Sequence, residues 1–215
     1  MTSETPTPGA AELREYVEGY LPEDDTLTGA RARASELGCR PVEPSTGAAL
    51  RFLSVVLGAR AVVEVGTGAG VSGLYLLRGM APDGVLTSID VEPEHQRAAK
   101  RAFTEDSVPP GRTRLIMGRA LDVLPRLTDG GYDLLFVDAA RPEYPSYHEQ
   151  GVRLLRPGGV MVFDNVLWQA KLIDPARRDP ETTALRELAR AVRDDKRLVP
   201  VLLPLGEGLL AAARV

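Results

Sequence analysis

Apolar positions recur along this chain with two different periods, and the changes of period mark its elements. From Ala10 to Leu21 and from Leu27 to Leu37 the spacing is helical, with Asp25 placed to cap the second helix. Pro41-Val42-Glu43-Pro44 is held extended by its prolines. Ser45 then predicts a cap, and a helix follows through Leu57 with apolar positions at Leu50, Leu53, Val56 and Leu57; Gly58 stops it. After that the pattern alternates. The short apolar run at 61–65 reads as a buried strand, and 85–89, 114–117, 132–137 and 160–163 read as further strands. Helical spacing returns between them at 71–79, 93–103, 120–127 and 145–155. Pro82-Asp83-Gly84 and Pro157-Gly158-Gly159 read as turns.

Strands and helices alternating at these lengths imply right-handed crossovers and a parallel sheet covered on both faces. The last part changes character. Residues 168–180 read as a loop broken by Pro175, Arg177-Arg178 and Pro180, and a helix fits 181–192. Apolar runs at 198–203 and 208–215, separated by Pro204-Leu205-Gly206-Glu207, predict an antiparallel hairpin. A parallel sheet that ends in such a hairpin is not the dehydrogenase layout. No repeat and no linker divides the chain, so one domain over 1–215 is expected. Within it, residues 1–9 are expected to be flexible, 10–57 to form a helical cap, and 58–215 to form the α/β core.

Composition narrows the function classes. The chain has 215 residues, 44% of them hydrophobic, and a net charge of -4, so no global basic field recruits nucleic acid. Cys39 is the only cysteine, which excludes an internal disulfide and a thiolate metal cluster. No apolar run is long enough to span a membrane, and the start lacks a basic segment followed by an apolar one. A cytoplasmic protein is the expectation.

The candidate chemistry centres on Ala61 to Leu76, AVVEVGTGAGVSGLYL. An apolar strand, a glycine turn and a helix in that order build a nucleotide-type pocket, where glycines let backbone approach a ligand and the helix start presents free N–H groups. A dinucleotide fingerprint needs G-x-G-x-x-G, but here Gly66, Gly68 and Gly70 alternate and Val71 takes the third-glycine position. Glu64 precedes the turn. A pyrophosphate disfavours a neighbouring carboxylate, whereas a cationic sulfonium amino acid tolerates one and its ammonium is attracted by it. Asp90 lies 24 residues beyond Gly66, a spacing suited to an acid that accepts both hydroxyls of a ribose. The alternative for the turn is close packing alone.

Glu64, Asp90, Asp138 and Asp164 all sit at or near predicted strand ends, which in an open parallel sheet face one crevice. A single such acid is most often a helix cap; four along one edge point to a polar ligand or a metal. Asp138 closes FVD, and Asp164-Asn165 follows the next strand. Two carboxylates and an amide are oxygen donors that suit Mg²⁺ or Ca²⁺, and two histidines and one cysteine disfavour a zinc site. Taken alone, Asp164-Asn165 reads equally as a turn pair.

Together EVGTGAGVS, SID, FVDAARPEYPSY and RPGGVMVFDNVLW resemble the cation-dependent class I O-methyltransferases, the S-adenosylmethionine (SAM) enzymes that include catechol and caffeoyl-coenzyme A O-methyltransferases. The resemblance runs from about Pro41 to the final hairpin. It implies a Rossmann-like fold with a seven-stranded, mostly parallel sheet whose last strand is antiparallel. It implies cofactor contacts at Val42, Glu64, Gly66, Thr67, Gly68, Ser72, Asp90 and Asp138, with Ala120 near the adenine. Asp138, Asp164 and Asn165 would be the metal ligands, the acceptor a small hydroxylated aromatic, and the assembly a homodimer. In the implied reaction the metal binds two adjacent acceptor oxygens, and one of them takes the sulfonium methyl by direct displacement.

Two departures bear on that implication. The family pattern D-A-D-K is here Asp138-Ala139-Ala140-Arg141. Ala140 removes a cofactor-contacting acid. Arg141 replaces a lysine that can act as a base, and a guanidinium accepts no proton at neutral pH, which leaves it orientation or phenolate stabilisation as roles. Lys171, one of three lysines, is a further base candidate. Trp168 reads as an aromatic wall of the acceptor pocket or as packing. His95 is expected at the surface, His148 in a structural role, and Tyr144 and Tyr147 mainly in packing. The other readings are a tRNA hydroxyuridine methyltransferase, which needs a local basic surface such as Arg177-Arg178, and a catalytically weak SAM-binding protein.

Overall fold

The computed structural model describes residues 9–168 and 171–215. Most of the segment expected to be flexible (1–9), and positions 169–170 of the expected loop, lie outside the described residues. Among the described residues seven strands form one sheet: β1 (Ala61–Val65), β2 (Val85–Asp90), β3 (Thr113–Met117), β4 (Tyr132–Val137), β5 (Leu155–Phe163), β6 (Leu198–Leu203) and β7 (Leu209–Arg214), in the order β3-β2-β1-β4-β5-β7-β6. β1 to β5 run parallel, and β7 is antiparallel to both of its neighbours, β5 and β6. The predicted hairpin therefore inserts its second strand between the parallel sheet and its first strand. Strand order reverses between β1 and β4, and there the chain leaves a crevice at the carboxyl edge.

Among the described residues eight α-helices surround the sheet: α1 (Ala10–Glu18), α2 (Asp25–Glu36), α3 (Pro44–Val56), α4 (Val71–Gly79), α5 (Pro93–Glu105), α6 (Ala120–Val123), α7 (Tyr144–Leu154) and α8 (Pro180–Asp194). The strand alternation sorts the core into two layers. Val62, Leu86, Leu134 and Phe136 face one way and pack with Leu50, Leu74 and Phe103 of α3, α4 and α5. Val63, Ile89, Leu135 and Val137 face the other way and pack with Tyr144, Tyr147 and Leu188 of α7 and α8. Each fully buried side chain of this size contributes roughly 1.5–3 kcal/mol, which is why the central strands are mostly apolar, with Glu64 of β1 and Thr87 and Ser88 of β2 as buried polar exceptions.

Several boundaries differ from the sequence reading for local physical reasons. The cap of α2 is Asp24, whose side chain accepts the Leu27 N–H at 3.0 Å, and Asp25 is the first helical residue. α3 starts at Pro44, a residue preset for a first turn, so Ser45 is inside the helix. Its N–H and hydroxyl instead donate to the Glu18 carboxylate at 2.9 and 2.7 Å and tie α1 to α3. β5 begins at Leu155, opposite Tyr132, and the register shifts before Val160 pairs with Leu134; the expected turn at 157–159 is an irregularity within the strand, with Gly158 at φ 78. α6 lasts four residues and passes into a 3-10 turn, Leu124–Arg126, where Pro125 interrupts the α pattern. α1 ends at Glu18, short of Leu21, and buries none of its residues.

Candidate active site

A crevice of about 310 Å³ opens where the glycine turn after β1 faces the ends of β2 and β4. Val42, Gly66, Thr67, Gly68, Ser72, Asp90 and Asp138 line it, so seven of the predicted residues meet there. Gly66 has φ 95, and a side-chain carbon at this position would collide with the carbonyl of Asp138, so the close approach of the turn to β4 demands glycine. Gly70, at φ 88, caps α4 against Ala99 of α5 and does the packing that the third glycine of a dinucleotide turn performs. Ala120 lines an adjoining cavity of about 230 Å³ that shares Gly66, Asp90 and Ala140 with the crevice. A larger cavity, about 870 Å³, lies between residues 172–178 and α8; it holds none of the strand-end acids and is set aside as a site.

Glu64 corrects the sequence reading. Its register partner on β2 is Ser88, which brings the two side chains together below the crevice floor. The carboxylate is wholly buried and is not part of the crevice wall. It accepts the Ser72 hydroxyl at 2.7 Å and the Ser88 hydroxyl at 2.5 Å. Burial pushes this carboxyl up to about 7; the two serine bonds oppose the rise, and the charges of Asp138 and Asp90 add to it. Glu64 is thus linked to the crevice wall through Ser72. Thr67 joins the same group, its hydroxyl 2.7 Å from that of Ser88.

Asp90 organises the turn. Its Oδ2 accepts the backbone N–H groups of Thr67 and Gly68 at 2.9 and 3.0 Å, and its Oδ1 accepts the Glu92 N–H at 2.9 Å. Nδ1 of His95 lies 3.2 Å from Oδ2. His95 therefore lines the crevice, which corrects its expected surface position. The reason is that α5 starts at Pro93, so its first turn folds back over the sheet edge. Cys39 also reaches the crevice wall, from the segment after α2.

Asp138 and Asp164 end adjacent parallel strands and are drawn together by the β4–β5 register. Asp164 is 3% exposed. The Asn165 side-chain amide donates to Asp138 Oδ1 at 2.9 Å, and its backbone N–H donates to Asp164 Oδ1 at 2.8 Å, which places Asn165 at φ 59. Burial raises the Asp138 carboxyl to about 6, opposed by Asn165 and Arg141. Asp164 is held well above the usual range by burial and then by the charge of Asp138. Two buried carboxylates that repel each other, with an amide beside them, form a donor set short of positive charge. An oxygen-preferring divalent cation fits it, with the Asn165 amide turned to present oxygen. Among the described residues no group of three or more His, Cys, Asp or Glu side chains converges on a metal position.

Arg141 and Trp168 are brought together from distant segments. The guanidinium carbon lies 2.9 Å from the Trp168 ring centroid, and Lys171 Nζ lies 4.9 Å from the same ring. Glu181 in the first turn of α8 faces Arg141 at 3.9 Å. Nε of Arg141 and Nε1 of Trp168 are buried without a partner. Backbone bonds from Leu167 and Trp168 to the Glu207 carbonyl, 2.9 and 3.0 Å, anchor this segment on the β6–β7 connection. Tyr144 is buried and donates to the Asp164 carbonyl at 3.1 Å, while Tyr147 donates to Glu143 and borders the smaller cavity. His148 is buried, 3.4 Å from Asp195 and away from the crevice. Ser88 and Glu181 went unread in the sequence, because a serine inside a strand and a glutamate opening a helix carry no local signal of the site.

An open α/β sheet with a glycine turn, a strand-end acid on that turn and a second pair of acids alongside defines a class I, Rossmann-like methyltransferase. Residues 25–215 match the family model described as O-methyltransferase, and the chain belongs to that family. A protein of Mycobacteroides abscessus named "Putative O-methyltransferase" is 53% identical over 214 residues, all of either chain. The O-methyltransferase of Bacillus cereus, solved with SAH, has a TM-score of 0.86 at 26% identity, covering 94% of this chain and 97% of that one. TomG of Streptomyces achromogenes, an O-methyltransferase solved with SAM, has a TM-score of 0.86 at 28% identity and covers 94% and 96%. The protein is accordingly a SAM-dependent O-methyltransferase. Among the described residues no helix is long and apolar enough to cross a membrane.

Proposed function

We propose that the protein transfers the SAM methyl group to a hydroxyl of a small catechol-like or otherwise hydroxylated aromatic, with a divalent cation held by Asp138, Asp164 and Asn165. The observation that carries this reading is the buried, mutually repelling Asp138–Asp164 pair beside the cofactor crevice. A bound Mg²⁺ or Ca²⁺ supplies positive charge that favours the ionised form of an acceptor hydroxyl. The protein's own residues do the rest. Gly66, Thr67, Gly68 and Ser72 seat the amino-acid part of SAM, Asp90 takes the ribose, and the cavity beside Ala120 takes the adenine. Arg141 stays cationic and, stacked on Trp168, forms a flat wall against which an aromatic acceptor can align. The acceptor hydroxyl gives its proton to solvent, its oxygen bonds to the sulfonium methyl carbon, the carbon–sulfur bond breaks with its electron pair left on sulfur, and SAH leaves, so no protein nucleophile is needed. Ala140 leaves room at the cofactor edge where the family pattern that the sequence resembles has an acid.

The protein is also proposed to act as a homodimer. Tyr16, Tyr20, Phe52, Val55 and Val56 of α1, its trailing turn and α3 are exposed together, and the family resemblance implies a dimer.

The test is transfer from labelled SAM to a panel of catechols, with Mg²⁺ and with chelator. Metal-dependent methylation of vicinal hydroxyls supports the proposal. Equal turnover in chelator removes the metal from it. SAM binding without turnover on any catechol moves the acceptor elsewhere, with hydroxylated tRNA the next substrate to try.

A further inference from the structure

Beneath the crevice four side chains form one hydrogen-bonded row: Ser72, Glu64, Ser88 and Thr67, spaced at 2.7, 2.5 and 2.7 Å. All four are buried, and Glu64 and Ser88 are fully so. Only Ser72 and Thr67, the two ends, line the crevice. Each hydroxyl owns one proton, so the row can be counted. With Glu64 ionised, Ser72 and Ser88 both donate to it. Ser88 then has no proton left for Thr67, so Thr67 must donate to Ser88 and shows the crevice only lone pairs. With Glu64 protonated on the Ser88 side, the carboxyl donates to Ser88, Ser88 donates to Thr67, and the Thr67 proton turns outward.

We propose that Ser88 is a positioning residue that relays the ionisation state of Glu64 to the Thr67 hydroxyl, so that this part of the crevice accepts from a cationic ligand in one state and donates to it in the other. The proposal rests on the crevice being the SAM site. Its geometry comes from the β1–β2 register, which sets Ser88 opposite Glu64, and from the turn that lays Thr67 over β2. Ser88 itself touches no part of the crevice. The relay works at physiological pH because burial brings Glu64 to about 7. The other charges facing Glu64 are Asp138 from β4 and Asp90 from β2, the latter with His95 of α5 beside it. A sulfonium and an ammonium favour the ionised state, so binding of SAM near pH 7 releases a proton, and affinity weakens by up to about tenfold per pH unit below the midpoint.

The experiment has two arms. In the ligand-free protein, the Glu64 carboxyl carbon is titrated by NMR in the wild type, Ser88→Ala and Ser88→Thr, with Glu64→Gln identifying the resonance. Loss of the Ser88 bond should raise the Glu64 midpoint by roughly one pH unit, the worth of one charge-assisted hydrogen bond, and Ser88→Thr should bring it back. In the second arm, SAM binding is followed by calorimetry across the same pH range in buffers of different ionisation heat. Proton release should be present in the wild type, displaced upward in pH in Ser88→Ala, and absent in Glu64→Gln. An unmoved midpoint in Ser88→Ala overturns the proposal. So does a moved midpoint with pH-independent SAM binding, since the relay would then end short of the crevice. If instead Asp90→Ala and Gly66→Ala variants that remain folded bind SAM as the wild type does, it is the assignment of the crevice that fails.

Discussion

The guanidinium of Arg141 lies flat against the indole of Trp168, 2.9 Å from guanidinium carbon to ring centroid, although 27 positions separate the two in the chain. The pair stands beside Asp138 and Asp164, where the proposed acceptor ring would lie. Trp168→Ala should therefore weaken acceptor binding and leave SAM binding alone. A cation–π contact of about 0.5–2 kcal/mol corresponds to roughly a 2- to 30-fold rise in acceptor KM. Arg141→Lys should show part of this loss, since an ammonium keeps the charge but has no plane to stack. Steady-state kinetics in acceptor, with SAM affinity measured separately, checks both.

Asp164→Ala should abolish turnover and spare SAM binding, because Asp164 lies outside the crevice wall while Asp138 belongs to it. Surviving turnover would remove Asp164 from the chemistry.

The two acids also predict a conflict between function and stability. The folded-state pKa of Asp138 is raised from 3.8 to about 6, so its charge destabilises the fold above that value, and the cost disappears below about 3.8, where both states are protonated. Asp138→Asn should stabilise the ligand-free protein at pH 8 by roughly 1–3 kcal/mol while eliminating activity, and the gain should fade as pH falls through 6. Thermal melts at several pH values read this directly. Adding Mg²⁺ should raise the melting temperature of the wild type at pH 8 and have no effect on the variant.

Gly66→Ala should be among the most damaging small substitutions. It combines a left-handed backbone, φ 95, with a collision against the Asp138 carbonyl. A loss of roughly 2–4 kcal/mol is expected, with weakened SAM binding at temperatures where the variant remains folded. Denaturant unfolding gives the first quantity and calorimetry the second.

Phe52→Glu should make the proposed dimer monomeric. Phe52 is 66% exposed on α3, and a carboxylate there would have to be desolvated in an apolar interface. Light scattering on the eluting protein distinguishes one chain from two. A wild type that elutes as a monomer would sink the dimer proposal.

Much of this molecule is written locally. Buried parallel strands are mostly apolar, so β1, β2 and β4 stand out as short segments despite Glu64, Thr87 and Ser88, and the acids at the ends of β2 and β4, Asp90 and Asp138, mark the carboxyl edge. Gly66 is readable because a left-handed turn at close approach admits no side chain. What the sequence could not contain is which strand lies beside which. Inserting β7 between β5 and β6, setting Ser88 opposite Glu64, folding His95 back onto Asp90 and laying Arg141 on Trp168 are all consequences of register and packing between segments far apart. A residue's own neighbours in the chain exert no force that distinguishes these partners. Local chemistry thus determined that a SAM-type crevice exists and which acids border it. Tertiary structure decided that Glu64 stands behind that crevice, reaching it through hydroxyls, because only the assembled sheet removes the carboxylate from water.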